Sequence, residues 1–211
     1  MPRILGQPVP ALFPVTGPIR LMLFGEAPGP RGADQSGIPF WGDGAGIAVY
    51  RALAAAGLAE VPEAAWADWD GARLKARGLF PTLHGAALSN SWPACPTNDG
   101  ERFRAPSDRE LRSPANLARL AAELARAAAT RPPDQRLRVL AFGTRPRWIL
   151  ERLPTLAEGV PPFDLEPLPH PSAQGLLQAA PNQGKGLRLD DLRAAWEARL
   201  RALLGGFQIG S

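Results

Sequence analysis

Short apolar runs alternate with amphipathic stretches along this chain. The run Arg20–Phe24 (RLMLF) ends in Gly25 and predicts a buried strand feeding a loop. Ala86–Asn90 (AALSN), Leu137–Phe142 (LRVLAF) and Phe163–Leu168 repeat the pattern. Between them lie helical spacings. Ala45–Leu58 reads as a helix with Asp43 near its start and Gly57 near its end, and Trp66–Arg77 as another. Ser113-Pro114 reads as a capped helix start with Leu117, Leu120 and Leu124 on its apolar face. Thr144 is placed to cap a helix carrying Trp148, Ile149 and Leu150. The last helix carries Leu189, Leu192, Trp196, Leu200 and Leu203, with acids early, arginines late and Gly205-Gly206 as its stop.

Each strand is a continuous apolar run rather than an alternating one, which is how a parallel sheet buried on both faces reads. The prediction is an α/β fold: a three-layer α/β/α sandwich with a central, mostly parallel four-stranded sheet, forming a single domain over residues 1–211. Ligands bind such sheets at the carboxyl ends of the strands. The polar, Gly- and Pro-rich loops Gly25–Gly46, Asn90–Arg112 and His170–Gly186 all follow strand ends, so one site at one sheet edge is expected.

Composition narrows the chemistry. Cys95 is the lone cysteine, which excludes an internal disulfide framework and a multi-cysteine zinc or iron–sulfur site. With only His84 and His170 beside it, no metal and no cofactor are expected. No apolar run approaches the ~20 residues of a membrane span. Prolines at 2, 8, 10, 14 and 18 break the stretch before Arg20, so no secretory signal is read there and a cytoplasmic protein is expected. The formal net charge is +4, and only Lys75 and Lys185 of the 24 basic residues are lysines. An arginine excess reflects either a GC-rich coding bias or a phosphate-bearing partner.

The first loop, from Gly25 to Gly46, lacks the glycine spacing of a dinucleotide fingerprint and the Gly-Lys-Ser/Thr of a P-loop. It holds two acids, Glu26 and Asp34, a proline-fixed aromatic, Phe40, and glycines that admit close backbone approach. A surface loop with solvated acids would have the same composition. His170 sits between two prolines just after a strand, which restrains its backbone. Ser172 and the turn after it can hold a phosphate. Arg102, Arg104 and Arg109 are either phosphate contacts or ordinary solvated charge. Trp41 and Trp92 flank the expected site, and Trp148 and Trp196 read as core. A serine hydrolase using His170 with Ser172 or Ser89 is disfavoured, because no Gly-x-Ser-x-Gly turn is present.

Taken together, GEAPG (Gly25–Gly29), DQSGIPFWGDGAG (Asp34–Gly46), the strand-end Asn90 and His170-Pro171-Ser172 resemble the uracil-DNA glycosylase superfamily over most of the chain. The features are mixed. GEAPG resembles the bacterial and archaeal iron–sulfur branch, without its cysteines. The Pro28–Phe40 spacing and Asn182–Gly186 (NQGKG) after the HPS are closer to the single-strand-selective monofunctional branch, and Gly32–Asp43 to the branch of wider substrate range.

The resemblance implies a monofunctional enzyme of base excision repair. It would flip uracil, or another deaminated base, out of DNA and hydrolyse its N-glycosidic bond, acting as a monomer with no membrane partner. It implies that Phe40 stacks on the base, that Asn90 (or Asn98) reads its edge, and that the backbone of Gly25–Ala27 helps bind it. His170 would donate to the uracil O2, while Asp34 or Glu26 positions water or steadies the sugar cation. Ser172, Lys185, Arg102 and Arg104 would contact DNA, and Ala173–Gly186 would be a wedge with Leu176 and Leu177 as its apolar tip. Ala27 departs from the acid or amide of the most active branches. That keeps open the alternative of a catalytically weak or silent DNA-binding relative.

Overall fold

The computed structural model describes residues 3–132 and 134–205. In chain order the elements are β1 (Leu21–Gly25), α1 (Ala33–Ser36), α2 (Gly46–Ala55), β2 (Ala59–Glu60), α3 (Glu63–Trp66), α4 (Gly71–Ala76), β3 (Thr82–Leu83) and β4 (Ala86–Asn90). There follow α5 (Asp108–Leu111), α6 (Pro114–Ala128), β5 (Leu137–Phe142), α7 (Thr144–Leu156), β6 (Phe163–Leu168), α8 (Ala173–Ala179), a 3-10 turn (Pro181–Gly184) and α9 (Leu189–Leu204).

The main sheet has the order β4-β1-β5-β6 and is parallel throughout. Successive residues of a strand face opposite sides, and β1 divides accordingly. Leu21 and Leu23 enter a core with α2 and α9, whereas Met22 and Phe24 enter a second core with α6 and α7. All five residues of β1 and all five of β4 are buried, which explains the apolar runs Leu21–Phe24 and Ala86–Leu88, whereas β6 at the far edge is only partly covered and alternates with Asp164 and Glu166, so it is not the continuous apolar run expected. The three-layer α/β/α arrangement expected from the sequence is therefore present. β2 and β3 pair antiparallel as a small separate ribbon.

The outer edge of β4 is covered. Leu12 and Leu88 exchange both backbone hydrogen bonds, at 2.8 and 2.9 Å, so the N-terminal segment lies along it as a strap. Further along the strap, Leu5 and Gly6 donate their N–H groups to the Asp34 carboxylate at 2.8 and 2.9 Å.

Several local expectations need correction. The helix predicted over Trp66–Arg77 is two helices, α3 and α4, broken before Asp70, whose side chain caps α4 by accepting from Arg73 N. The break lets Trp69 turn inward, edge-on to Trp41, with its Nε1 donating to the Asp43 carbonyl at 2.8 Å. Ser113 precedes α6, but its hydroxyl donates back to the Glu110 carbonyl instead of capping. Thr144 is the first residue of α7, and Gly143, at φ +102°, stands in the cap position. Gly205 is right-handed, so it is no left-handed stop, and Gly206 lies outside the described residues. Within the expected loop Asn90–Arg112 lies a short helix, α5, whose Ser107-x-x-Glu110 capping box is visible in the sequence.

Candidate active site

The carboxyl edge of the sheet brings the ends of β4, β1, β5 and β6 side by side, carrying Asn90, Gly25, Phe142 and Leu168. Gly25 and Asn90 are register partners. A Cβ on Gly25 would lie 2.5 Å from Asn90 Oδ1 and 2.8 Å from two ring carbons of Phe40. Only glycine lets the amide and the ring close over β1 at this point. Both side chains are buried. Asn90 Nδ2 has no hydrogen-bond partner among the described residues. Leaving such a buried donor unmade costs about 1–3 kcal/mol, a cost that a ligand carbonyl would remove.

Phe40 is held in a conformation that non-glycine residues avoid, with φ +62°; such strain costs on the order of 1–3 kcal/mol and gathers at functional sites. The flanking contacts enforce it. The Tyr50 hydroxyl donates to the Pro39 carbonyl at 3.0 Å, and Trp41 Nε1 donates to the Leu79 carbonyl at 3.0 Å. Gly46 packs against the Phe40 carbonyl with no space for a side chain. The Phe40 ring meets Phe142 edge-on, with 5.8 Å between centroids.

The rest of this loop is tied by its aspartates. Asp43 accepts from Ala33 N at 3.2 Å and lies directly against Gly29 and Gly32, which have no room for a Cβ. Burial pushes its carboxyl up to about 6, against the pull of the backbone N–H groups around it. Asp34 is buried too, but both its oxygens are taken by Leu5 N and Gly6 N, and Gln35 Nε2 adds a third bond at 3.0 Å. It holds the strap onto α1.

At the other end of the edge, β6 runs into Pro169-His170-Pro171-Ser172. Trp196 Nε1 donates to the Pro169 carbonyl at 2.8 Å. Ser172 caps α8 by accepting from Gly175 N at 3.1 Å, and its own N–H donates to His170 Nδ1 at 3.2 Å. An accepting Nδ1 puts the single proton of the neutral ring on Nε2. Burial holds the His170 pKa below its ordinary value, so the neutral ring is favoured. His170 and Glu26 line one pocket of about 370 Å³ with Gly143, Thr144, Gln178 and Gly175. Burial raises the Glu26 pKa, opposed by the Arg145 guanidinium, whose Nε lies 3.9 Å from Oε1.

The edge thus carries two adjoining clusters. Phe40 and Asn90 meet at Gly25, whereas Glu26 and His170 face the pocket; the two are joined by the Gly25–Glu26 peptide and by Phe142-Gly143. Phe40 and Asn90 do not line that pocket. Ala27 follows Glu26 in the chain and is half-buried, but it does not line the pocket.

Other candidates sit elsewhere or are already engaged. Arg104 is locked bidentate to Glu110 at 2.6 and 2.7 Å, and it holds the Glu110 carboxyl down to about 2. Its Nε donates to Asn98 Oδ1 at 2.9 Å, and Asn98 is exposed rather than buried at the sheet edge with Asn90. Arg102 and Lys185 are exposed. Leu176 is buried in the core and Leu177 packs on Gly184, so they form no projecting tip. The exposed part of that segment is the turn at Asn182 and Gln183, both at positive φ. Trp41 is fully buried, and Trp92 lines a separate cavity against α6. The functional residue missed from sequence is Arg145, in the first turn of α7, which reaches Glu26; its place just after the glycine that closes β5 was the available signal.

Residues 14–198 match the family model of the uracil DNA glycosylase superfamily. A stretch of 44 residues is 48% identical to the Type-5 uracil-DNA glycosylase of Thermus thermophilus; it covers 21% of this chain and 20% of that protein.

Proposed function

The chain belongs to the uracil DNA glycosylase superfamily, and from that membership and the edge described above we propose that it is a monofunctional DNA glycosylase. Its substrate is uracil, or a related deaminated base, in DNA, and its reaction is hydrolysis of the N-glycosidic bond. The observation that carries this reading is the buried amide nitrogen of Asn90, without a partner among the described residues, beside a strained aromatic ring. An amide offers one donor and one acceptor, which matches the O4 and N3–H of uracil. The Phe40 ring supplies a stacking face worth ~1–3 kcal/mol per base.

The neutral His170 donates from Nε2 to the uracil O2 as negative charge grows on the departing base. A preorganised donor of this kind is worth roughly 10²–10³ in rate. Glu26 handles the water: it faces the His170 pocket and, with Arg145 beside it, is the acid left available once Asp34 is committed to the strap. Both lysines are exposed and outside the pocket, Lys75 on α4 and Lys185 beyond the 3-10 turn. That favours hydrolysis over Schiff-base chemistry. Lys185, Arg102 and the Asn182–Gln183 turn are the groups available to the DNA backbone and the vacated stack.

The test is release of free base from uracil-containing single- and double-stranded oligonucleotides, with hydroxymethyluracil, hypoxanthine and xanthine oligonucleotides alongside. Uracil release slowed by ~10²–10³ in His170→Ala is the expected outcome. Salt-sensitive DNA binding with no base released from any lesion would replace the proposal with that of a silent DNA-binding relative.

A further inference from the structure

We propose that Arg119, on α6, is a positioning residue that sets base selection by holding the end of β4. The inference rests on Asn90 being the reader of the base. Beyond Asn90 the sheet no longer takes up the chain's carbonyl groups, and α6 supplies the donors. Arg119 Nη2 donates to the carbonyls of Asn90 and Ser91 at 2.9 and 3.2 Å. Asn116 Nδ2 donates to the Ser91 carbonyl at 3.0 Å.

The guanidinium is itself fixed. It donates from Nη1 to Glu123 at 2.6 Å and from Nη2 and Nε to Asn116 Oδ1 at 2.8 and 3.2 Å. Glu123 in turn accepts from the Ser89 hydroxyl at 2.7 Å. The ion pair is largely buried, with side-chain exposures of 23% and 12%. One planar fork and its carboxylate therefore grip Ser89, Asn90 and Ser91, the residue before, the reader itself and the residue after.

None of these α6 groups reaches the pocket wall on which Glu26 and His170 lie. Their effect passes through the Asn90 backbone. A Lys at 119 keeps the charge but loses the fork. A shift of the amide approaching 1 Å is enough to cost ~10²-fold in a reacting complex.

The experiment compares wild type, Arg119→Lys, Asn90→Ala and the double variant in single-turnover base release from uracil-, thymine- and cytosine-containing oligonucleotides. Arg119→Lys is expected to slow uracil release about tenfold or more and to narrow the preference for uracil, yet to add nothing in the Asn90→Ala background. A rate and preference equal to wild type, or a loss undiminished in the Asn90→Ala background, overturns the proposal. Should Arg119→Lys not fold, Glu123→Gln loosens the same guanidinium and is expected to act in the same direction; unchanged selectivity there overturns it equally. If Asn90→Ala behaves as wild type, or no base is released at all, it is the reading of Asn90 that fails. The positioning claim is then read directly from the Asn90 side-chain amide signals in 15N-labelled protein. Arg119→Lys must shift those signals and speed their proton exchange, and unaltered signals refute it.

Discussion

Gly25→Ala puts the steric argument to its hardest test. The backbone at Gly25 is in an ordinary conformation, so alanine brings no φ penalty and the whole effect comes from one methyl group. That methyl would stand 2.5 Å from Asn90 Oδ1 and 2.8 Å from Phe40 Cε1 and Cζ. To restore contact at 3.4 Å the amide must retreat by about 0.9 Å and the ring by about 0.6 Å. Overpacking of this kind costs about 1–3 kcal/mol, a fall in Tm of roughly 2–12 °C for a chain of this size. Displacing a substrate-holding group by about 1 Å costs ~10²-fold in rate. The expected result is therefore a folded protein, of native near-UV circular dichroism, whose single-turnover rate on uracil DNA falls about a hundredfold. Gly44→Ala is the control, since nothing lies within 4 Å of the added methyl on the same loop. Wild-type turnover by Gly25→Ala, with Tm unchanged, would show that ring and amide do not close over β1 and would remove the base-reading corner.

Further outcomes are expected. His170→Asn should lower the single-turnover rate by ~10²–10³ while leaving DNA affinity, measured by fluorescence anisotropy, nearly intact; equal losses in both would reassign His170 to binding. Because burial lowers the His170 pKa, the native ring resists a proton that the unfolded chain accepts below about 6.5. Its contribution to stability thus declines as pH falls from there through the folded value, and the slope should be shallower in His170→Asn melts. The raised pKa of Glu26 predicts that its carboxylate is lost on mild acidification, so the acid limb of the kcat profile should disappear in Glu26→Gln; a limb that persists unmoved assigns it to another group. Asp43 titrates near 6 when folded and near 3.8 when unfolded, so it lowers stability as pH rises through that interval. Melts of Asp43→Asn across pH 4–7 should lose that decline, and an identical pH dependence in both proteins would refute the assignment.

What was legible in the sequence follows from where burial is two-sided. β4 and β5 are legible because strands covered on both faces are built almost wholly of apolar residues; β6, an edge strand only partly covered, carries Asp164 and Glu166 and is legible instead from the alternation of Phe163, Leu165 and Pro167 with them. The Phe40, Asn90 and His170 stretches stood out because each follows a strand end with residues that a plain loop has no need of. The break between α3 and α4 is hard to read because Trp66 and Trp69 have helical spacing, although Asp70 before Gly71 is a usable cap signal and the inward turn of Trp69 depends on Trp41 and the Asp43 carbonyl, both distant in sequence. Asp34 gave no sign of its partners, which lie 28 and 29 residues earlier and are backbone groups. Asn116, Arg119 and Glu123 resembled an ordinary solvated helix face; their purpose depends on carbonyls at the end of a strand some thirty residues away in the chain.

The strap joins maintenance of the molecule to its selectivity. Leu12 gives β4 a neighbour on its open side, while Leu5 and Gly6 occupy a carboxylate rooted in the loop that bears Phe40. Deleting residues up to 12 would therefore do two things at once. It would turn the strand ending in Asn90 into an unprotected margin prone to self-association, and it would strip the Asp34 side chain of its two backbone amide partners. Damage of that sort would surface as aggregation together with relaxed choice of base, even though no described residue of the strap lines the pocket.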